Sequence, residues 1–148
     1  MPKRTIQSGN RSRWMRFLEL LAIMAVTIPG AGHASTVAEM KDARRILIIA
    51  APSRDDPNLA KQRQALAGWR QGAADRDLET IEVVGEAVSG SDDKGSALRQ
   101  RYDLPPKTFS VILIGKDGHV ALRSATPWPA SQIESAIDAM PMRRAGQR

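Results

Sequence analysis

Residues 45–53 read Arg45-Ile46-Leu47-Ile48-Ile49-Ala50-Ala51-Pro52-Ser53. The unbroken apolar run Ile46–Ala51 has the length and composition of a strand buried on both faces. Pro52 ends it. Asp56-Pro57 then reads as a helix start: an acid that accepts from unpaired backbone N–H groups, followed by proline at the first helical position, where its missing N–H costs nothing. Leu59, Leu66, Trp69 and Ala73 recur at helical spacing and predict a helix over 57–74, with Gly68 and Gly72 weakening its last turn. Leu78–Val84 reads as a second strand with Ile81, Val83 and Val84 as its apolar body. Two strands joined by a helical crossover run parallel, with a right-handed connection.

The remainder of the chain extends this pattern. Residues 88–96 are rich in Gly, Ser and Asp and predict a loop. A short helix over 96–102 places Leu98 and Tyr102 on one face, and Leu104-Pro105-Pro106 breaks it. Val111–Ile114 predicts a third strand. Gly115-Lys116-Asp117-Gly118 is a hairpin signal, and 119–123 alternates as a fourth strand with Val120 and Leu122 expected to face inward. Pro127 and Pro129 make a rigid connection. Ile133, Ala136, Ile137 and Met140 form an apolar helical stripe, and Pro141 stops that helix. The resulting order predicts an α/β, thioredoxin-like mixed four-stranded sheet with helices on both faces, spanning 45–142. Residues 35–44 lead into it, and 143–148 are expected to be a mobile basic tail.

Residues 1–34 follow a different pattern. Lys3, Arg4, Arg11, Arg13 and Arg16 precede an apolar run from Leu20 to Ile28, and small residues at Gly32 and Ala34 precede Ser35. This is the pattern of a secretory signal, with cleavage expected after Ala34 and a periplasmic or secreted location. The apolar run is short for a membrane span, so no stable span is expected after cleavage. Of 22 basic and 16 acidic residues, the leader holds five and one, leaving 17 against 15 and lowering the net charge from +6 to +2. So mild a balance implies no nucleic-acid partner. Cysteine is absent throughout, so a domain in an oxidising compartment must rely on its apolar core rather than on disulfides.

The stretches Arg45-Ile-Leu-Ile-Ile-Ala-Ala-Pro-Ser, Leu113-Ile-Gly-Lys-Asp-Gly and Ile137-Asp-Ala-Met-Pro-Met-Arg-Arg resemble the domain-of-unknown-function family DUF4174. The resemblance runs from about Ala43 to Arg144. It implies a fold similar to thioredoxins and peroxiredoxins and an exported location, and it supplies no catalytic residues. Pro105 and Pro106 lie several residues before Val111, whereas a thioredoxin-type proline stands directly against its strand.

A redox member of such a fold would place its thiol just beyond the first strand. Here that segment is Pro52-Ser53-Arg54-Asp55-Asp56-Pro57, and a hydroxyl does not replace a thiolate in disulfide or peroxide chemistry. Ser53, Arg54, Asp55 and Asp56 are the candidate binding loop, because open α/β sheets bind ligands beyond the carboxyl ends of their parallel strands. The competing reading is helix capping and a surface ion pair. Trp128, between two prolines, is the second candidate contact, weighed against packing over the last helix. Ser53 lacks a nucleophile elbow, and His119 stands alone after the leader, so neither hydrolytic nor zinc chemistry is expected. Residues 90–96 lack the lysine of a phosphate loop and the spacing of a calcium loop. Arg99, Arg101, Arg123, Arg143 and Arg144 suggest a basic face, against which stands an ordinary mixed surface.

No cofactor and no metal are therefore expected. The reading is an exported, non-redox binding module of the cell envelope whose partner is another envelope protein, with oligomeric state open. The alternative is a thiol-independent enzyme or stress-response factor acting on a peroxide or small metabolite.

Overall fold

The computed structural model describes residues 35–146. The leader read in residues 1–34, with Trp14 and His33, lies outside them, as do residues 147–148. The elements run β1 (Arg45–Ala51), α1 (Pro57–Ala67), α2 (Arg70–Ala74), β2 (Leu78–Val84), β3 (Ala87–Ser89), α3 (Gly95–Tyr102), β4 (Ser110–Ile114), β5 (Val120–Ser124), α4 (Ala130–Asp138) and α5 (Pro141–Arg144). The sheet order is β3-β2-β1-β4-β5. β1 runs parallel to β2 and antiparallel to β4, and β4 pairs antiparallel with β5. This is the thioredoxin-like arrangement, a βαβ unit and a ββα unit joined through the central strand.

Alternation along β1 divides the core into two layers. Ile46, Ile48 and Ala50 pack with Ile81, Val83, Ile112 and Ile114 beneath Leu98 and Tyr102 of α3. Leu47, Ile49 and Ala51 pack with Val111 and Leu113 beneath Leu59 of α1 and Ile133 and Ile137 of α4. Helices therefore cover both faces, and every residue of β1 and β4 is buried. Each fully buried aliphatic side chain contributes about 1.5–3 kcal/mol, so this two-sided layer is the main source of stability in a chain without disulfides.

Four features depart from the sequence reading. The sheet has five strands rather than four, because Ala87–Ser89 pairs antiparallel with Val84–Glu82. Three residues show no alternation, so the added strand looked like loop. The helix expected over 57–74 is broken at Gly68 and Trp69. Gly72 is part of that local structure: a Cβ there would lie 2.0 Å from the Trp69 indole nitrogen, so the ring packs where a side chain would stand.

The third departure concerns Val120 and Leu122, which do not face inward but are 40% and 41% exposed. A register shift at Leu113/Ile114 sets Leu122 opposite Leu113 and Val120 opposite Ile114. Leu113 and Ile114 belong to opposite core layers. The irregularity therefore breaks the alternation that the sequence suggested, and β5 is in any case an edge strand. Finally, residues 141–144 form a helical turn beyond α4, with Pro141 at its start.

The lead segment is attached to the domain. Thr36 and Glu39 form a reciprocal cap, Thr36 N donating to the Glu39 carboxylate at 2.8 Å and Glu39 N to the Thr36 hydroxyl at 3.3 Å. Val37 and Met40 are buried in the α3-side layer. Val37 N donates to Asp93 Oδ2 at 2.7 Å, and Ser91 Oγ donates to the same oxygen at 2.7 Å. The acidic 90–96 loop thus anchors the amino-terminal segment.

Candidate functional site

The loop Pro52–Pro57 leaves the carboxyl end of β1, as the strand–helix order requires. Asp56 is the N-cap of α1, its carboxylate accepting from Asn58 N at 2.8 Å and Leu59 N at 3.3 Å. The capping reading therefore holds for Asp56. Ser53, Arg54 and Asp55 are exposed. Arg54 lies at a shallow cavity of about 120 Å³ beside Val84, Ala87 and Val88. Arg63 and Glu82 line the same cavity but neutralise each other through paired bonds of 2.9 and 2.6 Å. Arg54 has no hydrogen bond or ion pair with the described residues, so its guanidinium is available to an external acceptor.

Trp128 is half-buried and packs against the α1- and α4-side core, as the packing alternative held. Its backbone is fixed by Gln62, a fully buried residue of α1. Trp128 N donates to Gln62 Oε1 at 2.8 Å, and Gln62 Nε2 donates to Trp128 O at 3.1 Å. Trp128 does not line the Arg54 cavity, so the two candidates do not form one site. Sequence reasoning missed Gln62, although its position between Leu59 and Leu66 on the apolar stripe was the available signal.

Three residues of the suspected basic face, Arg99, Arg101 and Arg123, are engaged by the fold. Arg99 of α3 donates to Gly85 O at 2.9 Å, to Pro105 O at 3.0 Å and to Ala51 O at 3.5 Å. It ties together backbone carbonyls near the carboxyl ends of β1 and β2. Arg123 donates to Tyr102 O and Asp103 O, capping the end of α3, and Arg101 lies 5.4 Å from the Tyr102 ring centre.

A second cluster lies at the opposite end of β1. Lys116, in the β4–β5 turn, is buried and donates to Asp77 Oδ2 at 2.9 Å. Arg44 lies 4.0 Å from the other oxygen of Asp77. The Lys116 hydrogen bond holds the Asp77 carboxyl below its ordinary value, against an opposing push from burial, with Lys116, Arg44 and Arg45 adding charge attraction. Arg45 is buried and its Nη1 donates to Arg76 O at 2.9 Å. Both cations line a cavity of about 230 Å³ with Ala121, Met140 and Pro141. His119, 86% exposed, stands at its rim beside Asp117.

This pair sets a pH dependence. A carboxyl whose folded pKa is depressed stabilises the fold fully above its unfolded pKa, and that contribution is lost as pH falls through the folded value. Lys116→Met is therefore expected to lower the denaturation midpoint at neutral pH. It should also flatten the acid limb below the ordinary aspartate value, which urea titrations across that range would measure. An unchanged acid limb would remove Asp77 as its source.

Among the described residues no three His, Asp, Glu or Cys side chains gather as a metal site, and no helix is long and apolar enough to cross a membrane. The fold and the loop beyond β1 together define a class: a thioredoxin-like domain without the thiol. A family model described as a domain of unknown function, DUF4174, matches residues 36–146, and the chain belongs to that family. Among solved structures the chain is similar to the crystal structure of StoA from Bacillus subtilis, at 13% identity, with 65% of this chain and 83% of that one covered and a TM-score of 0.49.

Proposed function

We propose that this chain is an exported, non-redox member of its fold that acts by binding, with another envelope protein as the partner and the Ser53–Asp56 loop as the contact. The observation that carries this reading is Arg54: exposed beyond the carboxyl end of β1, without a hydrogen bond or ion pair among the described residues, and bordered by the apolar side chains of Val84, Ala87 and Val88. An arginine fork beside apolar surface suits a partner carboxylate or backbone carbonyl. The chain has no cysteine, so its own residues cannot carry thiol–disulfide exchange.

Photo-crosslinking in cells from position 54, with position 119 as the control, tests the reading. A discrete protein adduct from 54 and none from 119 is the expected result. Arg54→Ala should weaken that complex while changing stability by no more than about 0.5 kcal/mol, as for an exposed side chain without a partner. Absence of any adduct at 54, or turnover of a peroxide or ester by the purified chain, would displace the binding reading in favour of an enzyme.

A further inference from the structure

We infer that β3 accepts an extended, acidic segment of the partner as a further strand, with a glutamate side chain of that segment seated against Arg54. This assignment rests on the binding role given to Arg54 and adds the form and charge of what it meets.

β3 ends the sheet and pairs with β2 on one side only. Along an antiparallel strand the backbone groups alternate between the two edges. The outer edge of β3 therefore keeps N–H and C=O groups without a ladder partner. Ala87 and Ser89 are exposed and Val88 is half-buried. Sheet edges are blunted by charge, by proline or by a covering element, and Ala87-Val88-Ser89 carries neither charge nor proline. An extended peptide adds to such an edge through main-chain hydrogen bonds, and pockets for its alternate side chains give selectivity.

The strand pairing fixes which face holds such a pocket. Val83 pairs with Val88, and both pack in the α3-side layer. Glu82 with Ser89 and Val84 with Ala87 share the other face, that of α1. On that face β3 presents only the short side chains of Ala87 and Ser89. The space above them is the cavity of about 120 Å³ that Arg54 borders. A strand added beside β3 sends every second side chain to this face, and one of them enters the cavity from the edge. The volume lies below the roughly 150 Å³ of a cavity that holds benzene, so one side chain fills it.

Charge selects that side chain. The ionised residues on the walls are Arg54, Arg63 and Glu82. Arg63 and Glu82 are joined by bonds of 2.9 and 2.6 Å, which leaves the charge of Arg54 in excess. Asp55 does not line the cavity, and Asp56 is engaged as the cap of α1. One carboxylate neutralises the walls, and a guanidinium fork receives it through parallel hydrogen bonds.

Titration of the full chain with the peptide acetyl-TVEVT-amide, read by amide chemical shifts, tests the inference. The amides of Arg54, Ala87, Val88 and Ser89 should move saturably, with a dissociation constant on the order of 1 mM. Acetyl-TVQVT-amide should bind about tenfold more weakly. The glutamate peptide with its backbone nitrogens methylated should leave the β3 amides unmoved. In Arg54→Ala the glutamate and glutamine peptides should bind alike. Ala87→Leu fills the cavity without changing a charge and should weaken the glutamate peptide about tenfold. Unmoved β3 amides, equal binding of the glutamate and glutamine peptides by the parent, or full binding of the methylated peptide would overturn strand addition. A protein adduct from position 54 in cells alongside such a result would leave the binding role of Arg54 standing. The absence of any adduct would remove that role and this assignment with it.

Discussion

Replacing Gln62 by leucine is expected to destabilise the domain by about 2–3 kcal/mol and lower its Tm by about 10 °C. The substitution keeps an aliphatic stem in a fully buried position but removes both hydrogen bonds to the Trp128 backbone. The Trp128 N–H and C=O then lose their partners, and each such group costs about 1–3 kcal/mol where water cannot replace the bond. The Pro127–Pro129 connection that delivers the chain into α4 should loosen, which Trp128 fluorescence and amide exchange at residue 128 would report.

Gln62→Glu provides a sharper signature. An ionised carboxylate cannot donate to Trp128 O, and burial raises its folded pKa because the charged form is disfavoured. The penalty is present above that raised pKa and relieved as pH falls through it, because a protonated carboxyl regains a donor. The variant should therefore gain stability relative to the parent on mild acidification. A variant as stable as the parent at neutral pH would show that the paired bonds do not hold this connection.

Gly90→Ala is the second substitution with a large expected effect, about 3 kcal/mol from backbone strain and collision together. Gly90 has φ +86, and a Cβ there would lie 2.4 Å from Thr80 O, a backbone atom of β2. Neither atom is the flexible end of a side chain, so the backbone must shift. The shift falls on the β2–β3 ladder, where Glu82 pairs with Ser89. Protection of the β3 amides should fall before global unfolding. Gly68→Ala is the matched control: nothing lies within 4 Å of its Cβ, and the change should be neutral or stabilising by about 0.5–1 kcal/mol. Equal midpoints for the two variants would contradict the predicted collision.

The elements were legible where one physical rule dominated. Ile46–Ala51 reads as a doubly buried strand because it is apolar at every position, and Asp56-Pro57 reads as a helix start because cap and proline act within one turn. β3 was not legible, since three residues carry no period. Val120 and Leu122 misled because alternation predicts a common face only while the register is regular, and the irregularity at Leu113/Ile114 is a property of the pair of strands. Within the candidate loop, Asp56 was readable as a cap. That Arg54 would have no partner among the described residues while Arg63 beside it found Glu82 was not, because Glu82 lies on another element.

The sequence by itself determined the places of four of the five strands, the parallel crossover and the lack of a thiol, because these depend on local periodicity, on a single turn or on the presence of one atom type. Only the tertiary structure decided which polar side chains are buried and what they hold. Gln62 meets Trp128 across 66 residues, and Lys116 meets Asp77 across 39. Such pairings arise from how helices settle on a sheet, and the desolvation that makes them consequential exists only once the core has closed.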